Sequence, residues 1–339
     1  MVRRIIYGIL LILAFVFAVG LVLPDKVHVE RSVVIQAPAS SVFALVDGFR
    51  QFDKWSPWSA KDPQLKVQIS GPLYGTGARY QWSGNQAVGS GTQQILTSVP
   101  YSDVKSQVSF GDFPHPAVAD FVFSANGQGS KVTWAMDIPL GGSPISHYFG
   151  PMVKKQVEPD FERGLANLKA LAEAGAKADF SGIVPILAEV TPQGFAYVSV
   201  TTTTDPAAID KAMTDALGKA GEYMKNGNLK QLGAPIAVTR RWDPQANVYQ
   251  FDAGFPVDRT DVQPPAGSEA KIDLTYGGTV LKIERRGPHK DFQDVYKQLE
   301  AFKAAYALQD NGASWEQYLS DPAHTAPADL VTDIYMPVK

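Results

Sequence analysis

The chain opens on a long stretch from which charged positions vanish. Ile5 to Leu23 (IIYGILLILAFVFAVGLVL) is apolar throughout apart from Tyr7 and two glycines. As an α-helix it rises about 28 Å, close to the roughly 30 Å hydrocarbon core of a bilayer. Arg3 and Arg4 precede it, Pro24-Asp25 ends it, and Tyr7 stands where an amphipathic ring favours an interface. A cleaved secretory leader is the alternative. Against it, the run exceeds a usual leader core and no A-x-A-like cleavage site follows. Residues 1–25 are therefore expected to be a transmembrane anchor that meets the lipid bilayer through residues 5–23. Beyond the helix Asp25, Lys26, Glu30 and Arg31 nearly cancel, whereas Arg3 and Arg4 stand alone. The positive-inside rule then places the remainder outside the cytoplasm, as a single-pass protein of the inner (cell) membrane.

After the anchor the pattern shifts to alternation. VHVERSVVIQ reads as a strand. Two short helical pieces, SVFALVDGF and RQFDKWSPW, follow Ala37-Pro38-Ala39-Ser40 and are broken by Gly48 and Pro57. Six strands come next (LKVQIS, GARYQWSG, GSGTQQILTSV, SDVKSQVSF, VADFVFSA, SKVTWAMDI), punctuated by Gly, Asn and Ser as antiparallel hairpins require. A long helix from about Ile145 to Ala174 closes the block. Val153, Val157, Phe161, Leu165, Leu168 and Leu171 recur along it at three- and four-residue spacing and form one apolar stripe. Ala/Gly-rich AEAGAKADFSG then suggests a linker over 177–183.

The last part reads twice. FAYVSVTTTT, DPAAIDKAMTDALGKAGEYMK, GAPIAVTRRW and NVYQFDAGFPV give strand, helix, strand, strand. TVLKIERRG, FQDVYKQLEAFKAAYALQ, ASWEQYLSD and LVTDIYMPV repeat that order, and both copies end on Pro-Val (Pro256-Val257, Pro337-Val338). A β-α-β-β repeat predicts two halves about a pseudo-twofold axis with a binding cleft between them.

Composition narrows the chemistry. The 339 residues carry a net charge of −3, so no basic field draws the chain to nucleic acid, and no nucleic-acid partner is expected. Cysteine is absent, which removes disulfides, thiolate catalysis and Cys-zinc sites together. The five histidines (His28, His115, His147, His289, His324) are scattered without an HExxH-like pair, so no metal site is expected. No G-x-S-x-G, P-loop or dinucleotide glycine fingerprint occurs, the glycines of LYGTGARY lying in a strand-turn, and no cofactor is expected.

Strand, two short helices, a meander and one long helix, with VERSVVIQAPASSVFALV, FDKWSPW, GARYQWSGN, VGSGTQQI, KVTWAMD and DFERGLANLK, resemble the START-like helix-grip fold of the SRPBCC (polyketide cyclase/dehydrase) superfamily. The resemblance covers 27–176 and implies a sheet wrapped around the long helix with a cavity between. Tyr80 and Trp82 share one strand face, and Trp134 shares another with Val132 and Met136. These rings either line the cavity as ligand contacts or fill the core. Trp55 and Trp58 are expected to anchor the lid. Over 184–339, GAPIAV, GFPV, ERRGPHKDF, SWEQYLSDP and TDIYMPVK resemble the GyrI-like, AraC-type effector-binding domain. No helix-turn-helix precedes it here, which sets the chain apart from regulators carrying this domain. The resulting fold class is α+β: a helix-grip START-like domain followed by a pseudo-twofold β-α-β-β repeat effector-binding domain.

The second resemblance aligns Glu316 with that family's pocket glutamate. Glu316 and Tyr318 share a strand face, which the family turns into an aromatic cleft. The alternatives are that Glu316 is exposed or pairs with Arg240 or Arg241. Trp315, Tyr197, Tyr249, Phe251, Phe255 and Tyr335 are further wall candidates, about half of which must face elsewhere by strand alternation. The leading function is binding or sensing of hydrophobic, including cationic, small molecules at the membrane. One competitor is a hydrolase of reactive small molecules, which needs a second carboxylate beside Glu316; Glu284, Asp252 and Glu189 are the candidates. Another is a lipid-handling envelope protein. The ligand, a protein partner and whether any reaction is catalysed stay open.

Overall fold

The computed structural model describes residues 2–111, 113, 115–175, 177–288 and 292–339, and His289 lies outside them. The chain divides into two compact units, Met1–Gly182 with Glu300–Ala307, and Ile183–Leu299 with Leu308–Lys339.

In the first unit α1 (Val2–Gly20) is a 19-residue apolar helix, long enough to cross a membrane and of the kind a signal sequence also presents. A seven-stranded antiparallel sheet follows in the order β1-β7-β6-β5-β4-β3-β2. Its strands are β1 (Lys26–Ile35), β2 (Lys66–Ser70), β3 (Arg79–Ser83), β4 (Ser90–Val99), β5 (Asp103–Phe110), β6 (Ala117–Asn126) and β7 (Gly129–Pro139). The short helices α2 (Ala39–Ala44) and α3 (Phe52–Trp55) stand where Pro38 and the Phe52–Trp55 segment suggested. The predicted long helix is α4 (Gly150–Ala174), preceded by a tighter turn over Ser146–Phe149. Its stripe delivers Phe161, Leu165 and Leu168 to the core, with Val153, Val157 and Leu171 packed at its margin. Gly164 permits the close approach, since a side chain there would collide with the Trp134 ring.

The segment read as a linker is built into this unit. Phe180 is fully buried, with its ring edge-on to Tyr101. Ser40 donates to Asp179 at 3.0 Å and Ser41 to the Ala178 carbonyl at 2.6 Å. The small-residue composition that suggested a flexible connection conceals one large apolar side chain that has to be covered.

The second unit holds an eight-stranded antiparallel sheet in the order β12-β9-β11-β10-β14-β15-β13-β8. The first repeat is β9 (Gly194–Thr202), α5 (Pro206–Asn226), β10 (Ile236–Asp243) and β11 (Val248–Val257). The second is β13 (Gly278–Arg286), α6 (Phe292–Ala305), β14 (Trp315–Tyr318) and β15 (Val331–Pro337). The β9-β11-β10 order mirrors β14-β15-β13, so the pseudo-twofold relation passes between β10 and β14. Two strands absent from the sequence reading, β8 (Ile186–Val190) and β12 (Ala270–Leu274), form the edges. Both are five residues long, β8 with no buried residue and β12 with only one, and so lack the buried-exposed alternation that marks inner strands. Asp205 starts α5 by accepting the Ala208 amide at 3.0 Å, with Pro206 in the first turn.

Candidate functional site

Register decides which side chains meet at the centre of the second unit. Glu316 on β14 lies opposite Ala237 of β10 and Ile334 of β15, and Ala237 lies opposite Ala253 of β11. Directly opposed residues in antiparallel strands point to one face. Ala237 and Ala253 pack in the same core cluster as Ala216, Ala220 and Tyr223 of α5, so Glu316 is on the helix-covered face. It sits beside the junction of the two repeats and is half-buried.

Two phenols hold its carboxylate. Tyr296 of α6 donates to one oxygen at 2.7 Å, and Tyr318, two residues along β14, donates to the other at 3.0 Å. Burial first, and the neighbouring Glu316 charge second, push both hydroxyls well above the usual tyrosine range, so they stay protonated donors. Tyr249 and Phe251 stand on the same face of β11 with ring centres 4.6 Å apart, and the Tyr249 and Thr239 hydroxyls lie 3.3 Å apart. Tyr249 is pushed up to about 12, again chiefly by burial. Trp242, exposed, packs edge-on against Tyr249 at the rim. An ionised carboxylate offers about four acceptor sites, so two phenols leave it capacity for a ligand donor.

Neither arginine of the alternative reading reaches Glu316. Arg240 pairs with Asp252 at 2.6 Å and Arg241 with Asp243 at 2.7 Å. Among the described residues no ion pair includes Glu316.

The other wall candidates divide as alternation requires. Tyr249, Phe251 and Tyr318 join Glu316. Trp315 points to the opposite face, where its ring stacks on Tyr335 at 4.8 Å, and Tyr335 also lies near Lys282. Tyr197, opposite Gly254, stacks on Phe195 at 4.8 Å on that same far face. Asp252 and Glu284 also alternate away from Glu316; Asp252 accepts from Ser199 at 2.7 Å and Glu284 lies near Arg286. Glu189 is on the edge strand β8, bonded to Thr279. The second carboxylate that a hydrolase needs is therefore supplied by none of these three. The residue that sequence reasoning missed is Tyr296. Its neighbours Phe292, Val295 and Leu299 form the obvious buried stripe of α6, and Tyr296 flanks it.

In the first unit Tyr80, Trp82 and Trp134 all point into the interior. Trp134 is stacked between Phe161 at 3.9 Å and Phe121 at 4.9 Å, with Trp55 and Trp58 edge-on. Tyr80 donates to Asp53 at 2.8 Å and packs against Phe49, Phe52 and Trp82. Among the described residues no cluster of three His, Asp or Glu side chains could hold a metal.

Two family models account for these architectures. Residues 26–173 match the polyketide cyclase / dehydrase and lipid transport family, and residues 186–339 match the GyrI-like small molecule binding domain. The chain thus matches a different family model over each of its two parts. No curated protein matches it. Among solved structures, protein CV1439 from Chromobacterium violaceum is 17% identical, with a TM-score of 0.32 over 45% of this chain and 99% of that one. The EcmrR C-terminal domain is 14% identical, with a TM-score of 0.40 over 46% of this chain and 98% of that one. A hydrolase from Listeria innocua is 16% identical, with a TM-score of 0.34 over 46% of this chain and 91% of that one.

Proposed function

We propose that the protein is a membrane-anchored receptor for hydrophobic cations, held by α1 and reading the ligand's charge with Glu316. The observation that carries this reading is the Glu316 carboxylate, gripped by the Tyr296 and Tyr318 hydroxyls among aromatic rings, with no ion pair to it among the described residues. Removing a carboxylate from water costs several kcal/mol on roughly any scale unless a positive partner offsets it. A ligand cation supplies that partner, and the faces of Tyr249 and Phe251 favour it further by cation–π attraction. The family description of a small molecule binding domain agrees. Binding rather than hydrolysis fits the neighbours of Glu316, which are protonated phenols and not a second carboxylate.

The test is calorimetry on the full chain in detergent, with a quaternary aryl cation and a neutral analogue of equal size. Glu316→Gln keeps the shape and removes the charge. Affinity for the cation is expected to fall by about 1.5–3 kcal/mol, the scale of a hydrogen bond to a charged group. Affinity for the neutral analogue is expected to change much less. Equal losses for both would mean that Glu316 shapes the pocket without reading charge. Turnover of a neutral compound by the wild type but not by Glu316→Gln would make the protein an enzyme instead.

A further inference from the structure

The tight turn over Ser146–Phe149 and the start of α4 together present two apolar faces, and only one belongs to the core. Val153 and Val157 turn inward. Ile145, Tyr148, Phe149 and Met152 follow the i, i+3, i+4, i+7 spacing of a second stripe, and they are 47%, 40%, 54% and 64% exposed. Single exposed apolar residues are ordinary, but four on one stripe form a patch that calls for an occupant.

The position of α1 identifies that occupant. The His147 Nδ1–H donates to the Gly20 carbonyl at 2.8 Å, and the Tyr148 hydroxyl donates to the Val16 carbonyl at 2.7 Å. Gly20 lies so close to the Pro144 carbonyl that any side chain there would collide with it. The last carbonyls of a helix lack intrahelical donors, and leaving them bare in hydrocarbon costs several kcal/mol each on roughly any scale. His147 therefore brings a polar donor to the last carbonyl of α1, Tyr148 bonds to Val16 one turn earlier, and together they carry the exposed stripe with them. Val16 precedes Gly20, the end of α1, by about one turn, or roughly 6 Å of helix. A stripe beside it lies at the depth where interfacial helices bury an apolar face. Lys154 and Lys155 follow Met152, the basic flank that such helices carry.

We propose that Ile145, Tyr148, Phe149 and Met152 form a membrane-docking foot that inserts into the outer interface of the bilayer crossed by α1. The proposal rests on reading α1 as a retained anchor, and the experiment separates the two. Because the chain has no cysteine, Ile12→Cys, Phe149→Cys, Met152→Cys and Ser124→Cys each give one spin-label site. Ser124 is exposed and pairs with Lys131, which in turn pairs with Val34, at the opposite end of the sheet from Lys26. The full chain is reconstituted in phosphatidylcholine–phosphatidylglycerol nanodiscs. Collisions of each label with oxygen, which partitions into lipid, are compared with collisions with a water-soluble nickel chelate. The expected result is an oxygen-to-nickel ratio several-fold higher at 149 and 152 than at 124, approaching that at 12. A bilayer signal at 12 with a water signal at 149 and 152 would overturn the foot and leave the anchor standing. A water signal at 12, or loss of that label with a cleaved N-terminus, would overturn both. Shielding of 149 and 152 from both reagents would assign the stripe to a second copy of the chain and also overturn the foot.

Discussion

Asp47, at the end of the first short helical segment, is 3% exposed. Burial drives its carboxyl up to about 7, and hydrogen bonds from Ser98 and Tyr306 offset only part of the effect. The sign follows from where the proton sits. Below about pH 4 the group is protonated in both states. Between about pH 4 and about pH 7 the folded chain keeps a proton that the unfolded chain has lost, so folding stability falls as pH rises; above about 7 the loss is complete. The rise from about 4 to about 7 corresponds to roughly 4 kcal/mol. Asp47→Asn removes this slope. Its denaturation midpoint is expected to exceed that of the wild type at pH 8 and to converge on it below pH 4. Parallel midpoints across that range would show that Asp47 is solvated. The residue scale is also where the sequence was least complete. Alternation in SWEQYLSDP put Glu316 and Tyr318 on one face, and the fold agrees. Tyr296, whose hydroxyl completes the grip on Glu316, is 20 residues away on another element, and a helical stripe does not reveal what its flank will touch. The same limit applies to Trp315 and Tyr197: strand parity shows that they alternate, but only register shows which face the helices cover.

At the scale of elements, the order of strands and helices in both units was legible because amphipathic alternation persists wherever one face is buried. The Val153–Leu171 stripe and the doubled β-α-β-β order are the strongest cases. Legibility failed where burial was one-sided or depended on a single residue. The edge strands β8 and β12 lack the alternation that marks inner strands, and residues 177–183 read as a linker because Ala and Gly outnumber Phe180. A fully buried ring in that stretch leads to a measurable expectation. Phe180→Ala should destabilise the first unit by about 3–5 kcal/mol, the usual cost of deleting a buried aromatic side chain. Urea denaturation of the full chain, followed by fluorescence of the first unit's tryptophans, tests this. A change below about 1 kcal/mol, the range of surface substitutions, would return 177–183 to the status of a linker. The result also bears on where the first domain can be cut, since a fragment ending at 176 omits Phe180.

For the whole molecule, the compartment in which the proposed binding residues lie depends on whether α1 is an anchor and on its orientation. The charge difference across the apolar run is small but one-sided: Arg3 and Arg4 before it, and Asp25, Lys26, Glu30 and Arg31 after it, which sum to zero. Positive residues near the end of a span stay in the cytoplasm, so Lys339 is expected outside. Two C-terminal fusions test this together. A reporter that is active only outside the cytoplasm should be active, and one that fluoresces only inside should be dark. The reverse pattern would place Glu316 in the cytoplasm, and the cation proposed for it would have to be an intracellular one. Fractionation completes the test, because a retained α1 and a cleaved leader give the same reporter pattern. With the anchor retained, the full-length chain stays in the membrane fraction after alkaline extraction and its N-terminal peptide still contains Arg3 and Arg4. A soluble chain beginning after Leu23 would make α1 a leader, leave the Ile145–Met152 stripe without its bilayer, and make the proposed receptor a secreted one that still carries Glu316.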